Sequence, residues 1–159
     1  MKFTHFIFTG FILLAGLLAA SCASLSGVEK VNKAADGLAL RGFDAVAYFT
    51  AESAAKGNPQ YEFVWNGAKW LFSSADNLEK FRQNPEKYAP QFGGFCSYAV
   101  SHGYTADGDP EAWKVVDGKL YLNYNRKVQE MWEQNQEQFI RDGQKNWAEF
   151  EKKKPEHKG

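Results

Sequence analysis

The chain has 159 residues, enough for one domain with its own core and too few for two of ordinary size. Its 19 basic and 19 acidic residues balance, so no charge imbalance points to nucleic acid as a partner. The function classes left are those of a single neutral module that binds a small ligand, a metal or a protein, or that uses one reactive group.

In chain order, Lys2 precedes an uninterrupted apolar stretch from Phe11 to Ala20 and then small residues, the layout of a secretory signal peptide. Thr4, His5, Thr9 and Gly10 dilute its early part and Ser21 closes it, so it falls short of the roughly 20 apolar residues of a membrane-spanning helix. The segment Leu18-Ala19-Ala20-Ser21-Cys22 resembles a bacterial lipobox, with Ala19 three residues before the cysteine where that pattern prefers leucine. The resemblance implies a signal segment over residues 1–21 and lipid attachment at Cys22, with the membrane as a partner through that anchor. Cleavage after Ser21 or Ala23 without a lipid is the other reading. Either way the mature protein is exported, periplasmic or membrane-tethered.

Residues 22–36 are small and polar with scattered charges and read as a flexible tether. The domain is expected over residues 37–150, followed by a charged tail, residues 151–159. Tyr61–Trp65 and Ala68–Phe72 flank Asn66-Gly67, and Trp113–Val116 and Leu120–Asn123 flank Asp117-Gly118; each pattern predicts a tight hairpin. Ser73 or Ser74 is placed to cap a helix that stops before Pro85. From Asn125 to about Phe150, Val128, Trp132, Phe139, Ile140 and Trp147 recur as one apolar stripe of a long C-terminal helix, with Gly143 as a candidate break. The expected fold class is α+β, a small antiparallel sheet from two hairpins packed with a few helices. No internal repeat is visible in the sequence.

Three strings occur in order: Gly42-Phe43-Asp44-Ala45-Val46-Ala47-Tyr48-Phe49, then Trp65 through Ser74, then Asn84-Pro85-Glu86-Lys87-Tyr88 running into Gly93-Gly94-Phe95-Cys96. Together with Gly108–Lys114 and Asp117–Asn125 they resemble the YHS domain family, and within it an exported bacterial branch. The resemblance implies an association with metal handling, and redox or soft-metal chemistry at Cys96, which selenocysteine can replace in that branch. The paired cysteines of the pump-associated modules are absent.

Read from the residues alone, Gly93 to Gly103 is a glycine-rich turn entering a short helix with Cys96 in its first turn. Backbone N–H groups and the helix dipole there would lower the thiol pKa and favour a soft transition metal ion or a nucleophilic thiolate. A buried, inert cysteine is the competing reading. His102 lies about 600° of helical rotation from Cys96, on another face, and reads as a cation near the helix end. Asp44 and Tyr48 read as a turn aspartate and a core tyrosine; the resemblance places them with Cys96, Tyr98 and Lys114 around one pocket. The leading expectation is a module that binds a small ligand or soft metal ion at a site containing Cys96. The alternatives are a thiol redox protein served by an external partner and a non-catalytic interaction module with an inert Cys96.

Overall fold

The computed structural model describes residues 30–152. The expected signal segment, Cys22 and most of the charged tail lie outside the described residues. Two hairpins organise the fold. In the first, β1 (Asn58–Trp65) pairs antiparallel with β2 (Ala68–Phe72), Phe63 opposite Trp70. In the second, β3 (Asp109–Val116) pairs with β4 (Lys119–Asn123), Lys114 opposite Tyr121. Asn66-Gly67 and Asp117-Gly118 both have φ of 49° and 71°, two successive left-handed residues as a type I′ turn requires. The hairpins remain two separate two-stranded sheets, each covered by helices, so the α+β expectation holds with two sheets in place of one.

The two hairpins belong to two copies of one supersecondary unit. Each copy opens on a tight 3-10 turn of three left-handed residues, Leu40-Arg41-Gly42 in the first and Phe92-Gly93-Gly94 in the second. The amide after the turn bonds back to its first carbonyl, Phe43 N to Leu40 O and Phe95 N to Phe92 O. One residue on, Asp44 N donates to Ala55 O and Cys96 N to Ala106 O, each at 2.8 Å. A short helix follows, α1 (Ala47–Thr50) or α4 (Ser97–Ser101), and then a hairpin whose register slips at the same place, between Asn58 and Glu62 or between Asp109 and Trp113. Each copy closes with a helix capped by its N-terminal side chain. Ser74 accepts from Asn77 N at α2 (Ala75–Gln83), and Asn125 accepts from Val128 N at α5 (Arg126–Glu133). Phe81 and Trp132 take equivalent, fully buried places against Trp70 and Tyr121.

This duplication corrects the expectation of no repeat. It is carried by backbone conformation and side-chain size, while equivalent residues differ in type: Asp44 matches Cys96, Ser74 matches Asn125, Phe81 matches Trp132.

A short helix, α3 (Pro85–Tyr88), joins the copies, and α6 (Gln136–Lys152) packs on α4. The C-terminal helical stripe divides at Gln134-Asn135 between α5 and α6, not at Gly143. Gly143 is buried inside an unbroken α6 because the Phe92 ring occupies the space beside it. Residues 31–33, which fall in the expected tether, are packed: Val31 is buried in the core and Asn32 N donates to Gly93 O at 2.7 Å. The larger core gathers Tyr48, Trp70, Phe72 and Phe81, and a second gathers Phe92, Val100, Tyr121 and Trp132. Each such side chain contributes roughly 1.5–3 kcal/mol by leaving water.

Candidate functional site

Asp44 emerges from the left-handed turn fully buried, with 0% exposure. Its Oδ1 accepts from Val46 N at 2.8 Å and Ala47 N at 3.3 Å, at the start of α1. Its Oδ2 accepts from Ser73 N at 2.8 Å, Ser73 Oγ at 2.7 Å and Asn77 Nδ2 at 2.7 Å, at the end of β2 and the start of α2. A buried carboxylate survives because every lone pair is used. Asp44 is a clasp between three elements and has nothing left for a ligand.

Cys96 holds the equivalent place in the second copy, as the residue preceding α4, and is 1% exposed. Burial pushes its thiol above the usual range; hydrogen bonds from the Ala99, Tyr124 and Tyr98 amides pull the other way and are outweighed. The expected low-pKa thiolate is corrected on that ground, since a helix of one turn offers less than burial removes. Asn123 Oδ1 lies 3.9 Å from Sγ and also accepts from Tyr98 N at 3.2 Å.

The residues expected around one pocket are dispersed. The Tyr98 ring packs against His102 and Phe139, with centroids at 4.3 and 5.4 Å. His102 caps the end of α4, its Nδ1 2.7 Å from Tyr98 O, and shares no hydrogen bond with Cys96 among the described residues. Around the Cys96 sulfur stand backbone N–H groups, which oppose a cation, and one side-chain oxygen, Asn123 Oδ1. No group of three or more His, Cys, Asp or Glu is placed to hold a metal ion among the described residues.

Tyr48 and Lys114 do meet. They line a groove of about 570 Å³ with Phe49, Glu52, Trp113, Val115, Gln129 and Glu133. The Tyr48 hydroxyl donates to Pro110 O at 2.9 Å and its ring meets Trp113 edge-on at 5.0 Å. Burial, then the charges of Asp109, Asp44 and Glu111, push the Tyr48 phenol far up. On the facing wall the polar groups are paired: Gln129 Nε2 donates to Trp113 O and Glu133 Oε1, and Lys114 Nζ lies 3.3 Å from Glu133 Oε1. The Gln129 hydrogen bond and the Lys114 ammonium hold the Glu133 carboxyl below its ordinary range. Glu52, just past α1 with φ of 47°, forms no ion pair or hydrogen bond among the described residues. A second groove of about 400 Å³, between Trp65, Phe92 and Trp147, borders Lys30 and Glu151 at the limits of the described residues.

Sequence reasoning missed Glu52, Trp113 and Gln129, and it missed Asn123. Nothing in local spacing marks them, because they come from three segments joined only by the fold. No curated protein and no solved structure matches the chain. The match among family models stops short of Cys96 and covers most of the first structural copy. Residues 46–92 match the family model described as the YHS domain.

Proposed function

We propose that the protein is an exported module, tethered to a membrane through Cys22, that binds a small organic cation in the groove lined by Phe49, Glu52 and Trp113 without turnover of its own. The observation that carries this reading is that two part-exposed aromatic rings, Phe49 and Trp113, backed by the buried Tyr48, share one groove with Glu52, which has no ion pair or hydrogen bond among the described residues. Aromatic faces attract cations through their quadrupole, and this attraction strengthens when the ring is partly desolvated. The opposite wall is electrostatically spent, since Lys114, Glu133 and Gln129 satisfy one another. Asp109 and Glu111 add negative potential on the Tyr48 side. The Lys2 and Phe11–Ala20 layout and the lipobox-like Leu18–Cys22 segment support export and anchoring.

The test is an NMR titration of the protein with choline and, separately, with 3,3-dimethylbutan-1-ol, its neutral isostere. Choline shifts should map to Phe49, Glu52 and Trp113, with affinity about tenfold above the alcohol. Shifts confined to other surfaces would remove the groove as the ligand site. Equal affinities within the groove would remove the cation. For the anchor, Cys22→Ser should release the protein from the membrane fraction; full retention of a processed chain would count against it.

A further inference from the structure

The first structural copy shows what the pocket around Cys96 is built to hold. In that copy Val46, Ala47 and Ser73 present their backbone N–H groups to the Asp44 carboxylate. The counterparts of those amides in the second copy are Tyr98, Ala99 and Tyr124, and these are the three whose N–H groups favour a negative charge on the Cys96 sulfur. The oxyanion cradle is therefore conserved between the copies while its occupant changes from a carboxylate to a thiol.

A thiol fills it poorly. Tyr98 N–H, whose counterpart Val46 donates to a carboxylate oxygen, donates to Asn123 Oδ1. Asn123 is fully buried with its amide against Sγ, and its Nδ2 has no hydrogen-bond partner among the described residues. Ser97, next to Cys96 in the chain and also fully buried, has an Oγ without a partner. Buried donors of this kind are normally satisfied, and both belong to residues that adjoin Cys96, Ser97 in the chain and Asn123 through its side chain. The side-chain donors of the first copy, Ser73 Oγ and Asn77 Nδ2, have no direct equivalents in the second, where Tyr124 and Val128 stand. The buried polar side chain against Sγ there is that of Asn123.

We propose that Cys96 is an oxidative modification site, at which a hydroperoxide converts the thiol to a sulfinate that occupies the second cradle as the Asp44 carboxylate occupies the first. The stoichiometry uses two equivalents of peroxide. In the first step sulfur attacks the O–O bond, taking one oxygen as sulfenic acid while the other leaves as water or alcohol. In the second step the sulfenic sulfur takes another oxygen, releases a second water or alcohol, and the acid loses its proton to solvent. Sulfur is oxidised twice and each peroxide is reduced once. Because Cys96 is buried, a small uncharged peroxide reaches it where bulkier thiol reagents do not, and the reaction is slow. The oxidised side chain is a near-isostere of aspartate: two oxygens on the atom attached to Cβ, with one negative charge.

This inference is independent of the Tyr48–Trp113 groove and is tested on the full chain. In Cys96→Asp the cradle receives its carboxylate directly, so the variant should fold with an unfolding midpoint equal to or above that of the parent at neutral pH. Cys96→Asn, of the same shape without the charge, should be less stable than Cys96→Asp. Treatment with hydrogen peroxide, followed by mass analysis of the peptide carrying Cys96, should add two oxygens, about 32 Da, and stop there. The oxidised chain should keep its unfolding midpoint. A Cys96→Asp variant at least a hundredfold less stable than Cys96→Asn would overturn the proposal, because the pocket would then reject an anion. So would a peroxide-treated protein that either leaves Cys96 unmodified or unfolds as it oxidises.

Discussion

Gly143 on α6 stands so close to the Phe92 ring that a Cβ at that position would lie 2.7 Å from Cζ and 3.0 Å from Cε2. Phe92 is itself buried, and its left-handed backbone is part of the turn that opens the second structural copy. The C-terminal helix is thus seated on that turn through a notch that glycine alone provides.

Gly143→Ala sets two effects against each other. Helix propensity favours alanine by about 1 kcal/mol. Overpacking against a ring that cannot swing aside costs about 1–3 kcal/mol. The clash is with the body of a buried ring, so the second effect wins and the variant should lose up to about 2 kcal/mol in urea denaturation. A stabilised variant would mean that Phe92 yields.

Asp44→Asn replaces an acceptor-only group by one that carries two N–H donors of its own. Five donors converge on the carboxylate, three of them on Oδ2, so whichever way the amide turns, donors face donors. The loss should be about 2–4 kcal/mol, read by chemical denaturation, with α1 and the β2–α2 junction losing hydrogen-exchange protection together. Protection lost at α1 alone would show that Ser73 and Asn77 hold without the aspartate.

The raised thiol of Cys96 and the raised phenol of Tyr48 give a direction to the pH dependence. In the unfolded chain these groups lose protons near their ordinary values, about 8.5 and 10, while the folded chain retains them. Above those values the unfolded state binds fewer protons, so stability falls as pH rises, by up to about 1.4 kcal/mol per pH unit for each group. Their contribution is complete below roughly pH 8.5. Denaturation curves from neutral pH to about pH 10.5 should show this decline, and Cys96→Ala should flatten its first part. An unchanged slope in that variant would mean that the thiol already ionises in the folded state.

Much of the fold was legible because its signals are local. Asn66-Gly67 and Asp117-Gly118 specify tight turns through the left-handed backbone that they adopt, and Ser74 caps α2 through a bond only three residues long. The site was not legible in the same way. Tyr48 and Lys114 were singled out from the sequence and do share a groove, yet Glu52, Trp113 and Gln129, which give that groove its chemistry, are ordinary residues in their own segments. The reading of Cys96 as a low-pKa thiol failed on burial, which depends on what α5, β4 and α6 place over α4.

By itself the sequence determined the two hairpins, the capped helix α2 and the α+β class. Hydrogen-bonded turns and side-chain periodicity act over a few residues, and their energies are set before any distant segment arrives. Only the tertiary structure decided that the two halves are the same unit, that Asp44 and Cys96 hold equivalent places, and that the cradle around one is filled by a carboxylate and around the other by sulfur. That equivalence resides in backbone dihedrals and in the convergence of amides from separate elements, Tyr98 and Ala99 from one and Tyr124 from another. Those amides are chemically identical at every residue, so their arrangement leaves no mark on the order of side chains.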